Sequence, residues 1–149
     1  MAQYIRPTLD TKFQIDFDWW QENGKSLRVM LASHLCQSCA KEHADDAAQA
    51  IDWVDPQTGE VKQVDILWHT LRTCCSQQPD FITPQTPLAT AVFLSLIAND
   101  NAPMTAVELH QMLAPRSADL IRRTIGRHHV YYGIKPVTTS LPRRQKQIA

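Results

Sequence analysis

Two pairs of cysteines, Cys36-Gln37-Ser38-Cys39 and Cys74-Cys75, constrain the fold of this 149-residue chain more than any other feature. Two residues between thiols let both sulfurs point at one ion from a single turn, and zinc commonly takes four such ligands as a tetrahedron. In a cytosolic chain, paired cysteines mark metal or redox chemistry more often than a disulfide framework. The expected metal ligands are Cys36, Cys39, Cys74 and Cys75, with His69 the first substitute and His34 the next. The second pair departs from a zinc ribbon, which would supply another Cys-x-x-Cys, and adjacent side chains tend to diverge. The reading adopted is a structural zinc that staples residues 27–39 to residues 66–75. An iron–sulfur cluster on the same thiolates is one alternative, and free buried thiols or a reversible dithiol switch are another.

Around these pairs the hydropathy pattern mixes strand and helix. Phe13, Ile15, Phe17 and Trp19 alternate with polar residues, as one face of a half-buried strand does. Leu27, Met30, Leu31, His34 and Leu35 follow helical spacing into Cys36. Ala40 to Ala50 is polar and alanine-rich and reads as a solvated helix. Ile51–Val54 and Glu60–Val64 flank Asp55-Pro56-Gln57-Thr58-Gly59, the signature of a β-hairpin with a bulge. Residues 66–75 read as a short helix with Leu67 and Leu71 inward, and Gln77 to Pro87, with three prolines, reads as a linker.

Three helix signals follow. Thr86 is placed to cap a helix with Pro87 at its first position and Val92, Phe93, Leu96 and Ile97 as its stripe. Thr105-Ala106-Val107-Glu108 is a capping box before Leu109, Met112 and Leu113. After Ala114-Pro115-Arg116, Ser117 caps a helix with Leu120, Ile121 and Ile125 inward and Gly126 as its terminal glycine. His129 to Tyr132 reads as a strand. In this order of elements, residues 86–137 resemble a winged helix-turn-helix. That resemblance implies that the helix after the turn enters a DNA major groove.

Charge gives the likeness a possible ligand. Residues 1–80 carry 7 basic and 12 acidic side chains, whereas residues 81–149 carry 8 basic and 3 acidic ones, so a net charge of zero hides a split of −5 and +5. All eight basic residues of the second part lie from Arg116 onward. Arg116, Arg122, Arg123, Arg127, Lys135, Arg143 and Arg144 are therefore the expected nucleic-acid contacts, Arg being suited to guanine edges and phosphate oxygens. Lys146 extends the same basic tail.

The chain has no Gly-rich phosphate loop, no Gly-x-Ser-x-Gly elbow and no His-Glu-x-x-His, so a non-enzymatic role is expected. The first residues lack a signal-peptide core, and the longest apolar stretch, Ala91 to Ala98, is short of the roughly 20 residues of a membrane span. A soluble, cytoplasmic protein without a membrane partner is expected. The expected fold is α+β: a zinc-stapled N-terminal half (1–80) with a strand, helices and a β-hairpin, a winged-helix-like half (81–137) and a basic flexible tail (138–149). The expected function is a zinc-containing, DNA-binding or transcription-associated protein. The alternative is a protein–protein interaction subunit or adaptor of a larger assembly, and an iron–sulfur redox sensor is a third reading.

Overall fold

A computed structural model describes residues 7–42, 50–54, 58–127 and 129–137. Among these residues the chain is mixed α+β, with seven α-helices, a three-stranded antiparallel sheet and a two-stranded hairpin. None of the described helices is long and apolar enough to cross a membrane.

β1 (Lys12–Ile15) buries Phe13 and Ile15, as the alternation requires, but the strand ends there. The Asp16 carboxylate accepts the Asp18 N–H at 3.1 Å and caps α1 (Phe17–Glu22). Phe17 and Trp19 are thus helical rather than strand residues. A cap can override two-residue alternation because it satisfies helix-end amides that the pattern does not register. Ser26 caps α2 (Leu27–Ser33) by accepting from Val29 N–H, and α3 (Gln37–Glu42) follows after three residues. Of the rest of the expected polar helix, residues 43–49 lie outside the described residues, and Ala50 is already in a strand rather than a helix.

β2 (Ala50–Val54) and β3 (Val61–Asp65) form the expected hairpin, with Ile51 opposite Val64 and Val54 opposite Val61. Its turn at 55–57, where the bulge was expected, is outside the described residues. Asp65 caps α4 (Ile66–Thr73) by accepting from Leu67 and Trp68 N–H at 2.8 and 3.3 Å. The same carboxylate pairs with Arg28 of α2 and so fixes α2 beside α4.

α5 (Leu88–Ala98) is the axis of the core. Every residue from Thr90 to Ile97 is buried, so the expected apolar stripe is in fact a helix covered all round. The Thr86 hydroxyl does not cap it. That oxygen accepts from Thr83 N–H at 2.9 Å, and α5 begins after Pro87 with no side-chain cap. β4 (Met104–Thr105) leads into α6 (Ala106–Leu113), whose capping box forms as expected between Thr105 and Glu108. Ser117 caps α7 (Ala118–Ile125), and Ile121 and Ile125 face the core. Leu120 was expected inward but is 41% exposed.

The sheet order is β4-β1-β5, both pairings antiparallel, with β5 spanning Ile134–Pro136. β1 therefore lies between two strands from beyond residue 100, and one buried cluster draws on residues from both sides of residue 80. The expected strand at 129–132 is instead a turn. Tyr132 and Gly133 have φ of 54° and 78°, and the Tyr132 ring packs against Trp20 and Phe93. Gly133 is required there twice over, because a Cβ would also lie 2.8 Å from the Asp16 carbonyl oxygen. Gly126 closes α7 with a φ of −92°, so left-handed freedom is not its use. A Cβ at 126 would stand 2.5 Å from the Arg122 carbonyl oxygen and 2.9 Å from Pro7 Cγ.

Between α5 and β4, Asn101 extends the sheet with its side chain. Its Oδ1 accepts from Ile15 N–H at 2.7 Å and its Nδ2 donates to Ile15 C=O at 3.0 Å. Asn101→Ala leaves both backbone groups of a half-covered strand without these partners. It should lower unfolding free energy by about 2 kcal/mol, read as a reduced urea midpoint at unchanged m-value.

Candidate metal centre and basic face

Two short helical segments bring the thiols together. Cys36 lies in the link between α2 and α3, and Cys39 is the buried residue one turn into α3. Cys74 closes α4, and Cys75 opens a single 3-10 turn, Cys75–Gln77. The change in winding between Cys74 and Cys75 overcomes the divergence expected of adjacent side chains. All four sulfurs lie within 4.8 Å of one another.

Cys39 Sγ and Cys74 Sγ are 3.2 Å apart, and Cys36 N–H donates to Cys75 Sγ at 3.1 Å. No disulfide joins them. Thiolates held tetrahedrally at about 2.3 Å from a zinc-sized ion stand about 3.8 Å apart, so the observed set can hold a single metal ion with little movement. Among the described residues the group at ligand spacing is these four sulfurs, without His34 or His69.

Electrostatics at the centre are uneven. The Cys36 thiol is lowered to about 6, first by the Cys39 N–H that donates to its sulfur and then by the Cys39 and Ser38 side chains. Burial pushes the Cys39 thiol up, and its contact with Cys74 pushes the same way. Burial also raises Cys75. Thiols crowded in this way resist ionising together, and a divalent cation removes the conflict by taking the place of their protons.

A cavity of about 230 Å³ opens beside the sulfurs, lined by Cys36, Cys75, His34, Gln37, Asp80 and Phe81 among others. Burial lowers the His34 pKa, which favours the neutral imidazole. The Ser38 hydroxyl lies 3.7 Å from Cys36 Sγ. Its place inside the Cys-x-x-Cys loop was the available sequence signal for this contact. Asp80 and Phe81 come from the Pro-rich segment, and nothing in its composition marks them.

The basic residues are distributed differently. Arg116 donates to the carbonyl oxygens of Thr83, Pro84 and Thr86, so it ties the start of α7 to the segment ahead of α5. Lys135 pairs with Asp16 at 2.8 Å. Arg122 and Arg123 both pair with Asp119, at 2.7 and 2.9 Å, and hold its carboxyl below its ordinary range. Arg123 is the more exposed of the two, at 54% against 24%. The Arg127 Nε donates to the Arg123 carbonyl oxygen, and Arg127 has no acidic partner among the described residues. Arg143, Arg144 and Lys146 lie outside the described residues.

No family model matches this sequence, and no curated protein or solved structure matches it either.

The geometry predicts one equivalent of bound divalent metal per chain, measurable by elemental analysis of purified protein. Cobalt(II) should give the intense sulfur-to-metal charge-transfer bands of a tetrathiolate site. Cys39→Ser should lose the ion or weaken its binding by at least about tenfold, whereas His69→Ala should keep full occupancy.

Proposed function

We propose that this chain is a zinc-stapled, non-enzymatic DNA-binding protein of the transcription-associated kind, with a winged-helix-like module as its contact surface. The observation that carries the reading is the run β4, α6, four-residue turn, α7, with a surplus of positive charge at the end of α7. At neutral pH Asp119 offsets one of the two charges of Arg122 and Arg123, and Arg127 follows without an acidic partner among the described residues. Arg123 and Arg127 are the leading phosphate or base contacts, with Arg143 and Arg144 extending them in sequence. Arg116 and Lys135 have internal partners and are secondary in this reading. The likeness to a winged helix has one departure. The central strand of the sheet is β1, from the chain's beginning, and no hairpin partner for β5 follows it among the described residues.

Zinc is the ion proposed, on the strength of the four-thiol set and its spacing. An iron–sulfur cluster places bridging sulfides and more than one iron between its ligands, so its thiolates stand wider apart than around a single ion. A compact group within 4.8 Å favours the single ion. The adaptor reading has its own support in Val107, Met112 and Leu120, which leave apolar side chains exposed on α6 and α7.

Fluorescence anisotropy with a random-sequence duplex tests the proposal. Binding at about 50 mM salt should weaken steeply by about 200 mM. Arg123→Ala/Arg127→Ala should reduce the slope of log affinity against log salt by roughly 2 in magnitude. Absence of binding at the lower salt rejects the DNA reading and favours protein docking through α6 and α7.

A further inference from the structure

We propose that the sulfur centre is also a peroxide-reactive site, with Cys36 as the sulfur oxidised first and the adjacent cavity as the route of entry. The inference rests on the single-ion reading of the centre. The four thiols differ in access: Cys39 and Cys75 are buried at 4% and 1% exposure, although Cys75 also borders the cavity, whereas Cys36 is half-buried and lines it. Cys74 is half-buried too, but it is not among the cavity's lining residues. The cavity's volume of about 230 Å³ exceeds what a molecule the size of hydrogen peroxide needs, and His34, Ser33, Gln37 and Asp80 give it a polar wall. A small, uncharged, hydrogen-bonding oxidant fits those walls.

The chemistry balances with peroxide as the only co-reactant. The Cys36 thiolate attacks one peroxide oxygen, the O–O bond breaks, and hydroxide leaves, giving a sulfenic acid. A second thiolate of the group then attacks the Cys36 sulfur and expels a second hydroxide as the S–S bond forms. Two sulfurs lose two electrons in total, peroxide gains them, and two protons from solvent convert the hydroxides to water. Cys39 is the leading candidate for the second thiolate, since it sits one turn along the same loop, its sulfur lies within 4.8 Å of Cys36 Sγ and its N–H donates to that sulfur. The metal then keeps only two thiolate ligands and leaves.

The test uses the full chain loaded with one equivalent of zinc and treated with hydrogen peroxide. Zinc release is followed with a metallochromic dye, and disulfides are mapped by mass spectrometry. The expected result is release of one equivalent of zinc, a disulfide that contains Cys36, and recovery of zinc binding after reduction with a dithiol. Cys36→Ser removes a ligand together with the reacting sulfur, so Gln37→Trp serves as the second variant. It adds bulk at an exposed rim position of the cavity and should slow release several-fold at unchanged zinc affinity. Zinc retained under peroxide, a disulfide that excludes Cys36, or a Gln37→Trp rate equal to the parent's overturns the inference. A purified chain that binds no zinc at all instead overturns the metal reading beneath it.

Discussion

Helix α5 presents no polar face, and the packing of the chain follows from that constraint. A segment buried from Thr90 to Ile97 persists only when it is covered on every side. β1, α4, α6 and α7 each supply part of the cover, and they come from both ends of the sequence. The buried Ser95 hydroxyl is satisfied within the helix by donating to the Ala91 carbonyl oxygen at 2.8 Å, so the interior carries no polar penalty there. The sulfur centre acts on this core at one remove. It holds the α2–α3 segment against the end of α4, and α4 lies against α5.

The same packing explains why a charge count overstates the basic surface. Arg116 looks like a groove contact in the sequence because it stands in the turn between two helices. Its guanidinium instead gathers three carbonyl oxygens in the segment that precedes α5, a task suited to a planar group with five donors. Lys135 joins β5 to Asp16, the residue that also ends β1 and caps α1. Among the described basic residues from 116 onward, Arg116 and Lys135 are thereby engaged internally, which leaves Arg123 and Arg127, on and just beyond α7, the more open ones.

Much of the fold was legible where local chemistry decides the outcome. The hairpin, the capping box at Thr105 and Glu108 and the Ser117 cap all form as the residues suggest, because each depends on neighbours within a few positions. The four sulfurs were legible as a set from their pairing alone. What misled the pattern was a competing local cap at Asp16 and, elsewhere, tertiary packing. Asp16 breaks an apparent strand, Tyr132 takes left-handed φ so that its ring can reach Trp20 and Phe93, and Leu120 is exposed despite its apolar spacing. The union of β1 with β4 and β5 has no local signal, since strand partners more than 90 residues apart are chosen by the core they jointly cover.

The short helices at the sulfur centre show why a thiol group belongs there rather than an apolar contact. α2 has seven residues and α3 six, well below the roughly 12–15 at which an isolated helix begins to persist in water. α2 has Leu31 in the core and Arg28 on Asp65, so it is attached by both packing and charge. In α3, Cys39 is the buried side chain among the described residues, while Gln37, Ser38, Ala40 and Lys41 face solvent. An apolar residue in place of Cys39 would leave α3 with a single weak anchor. A metal ion held by the four sulfurs would give Cys36 and Cys39 two coordinate bonds in fixed directions, an attachment suited to a segment with almost no hydrophobic face. Loss of such an ion would therefore act first and locally at α3, with α5 and its sheet still packed.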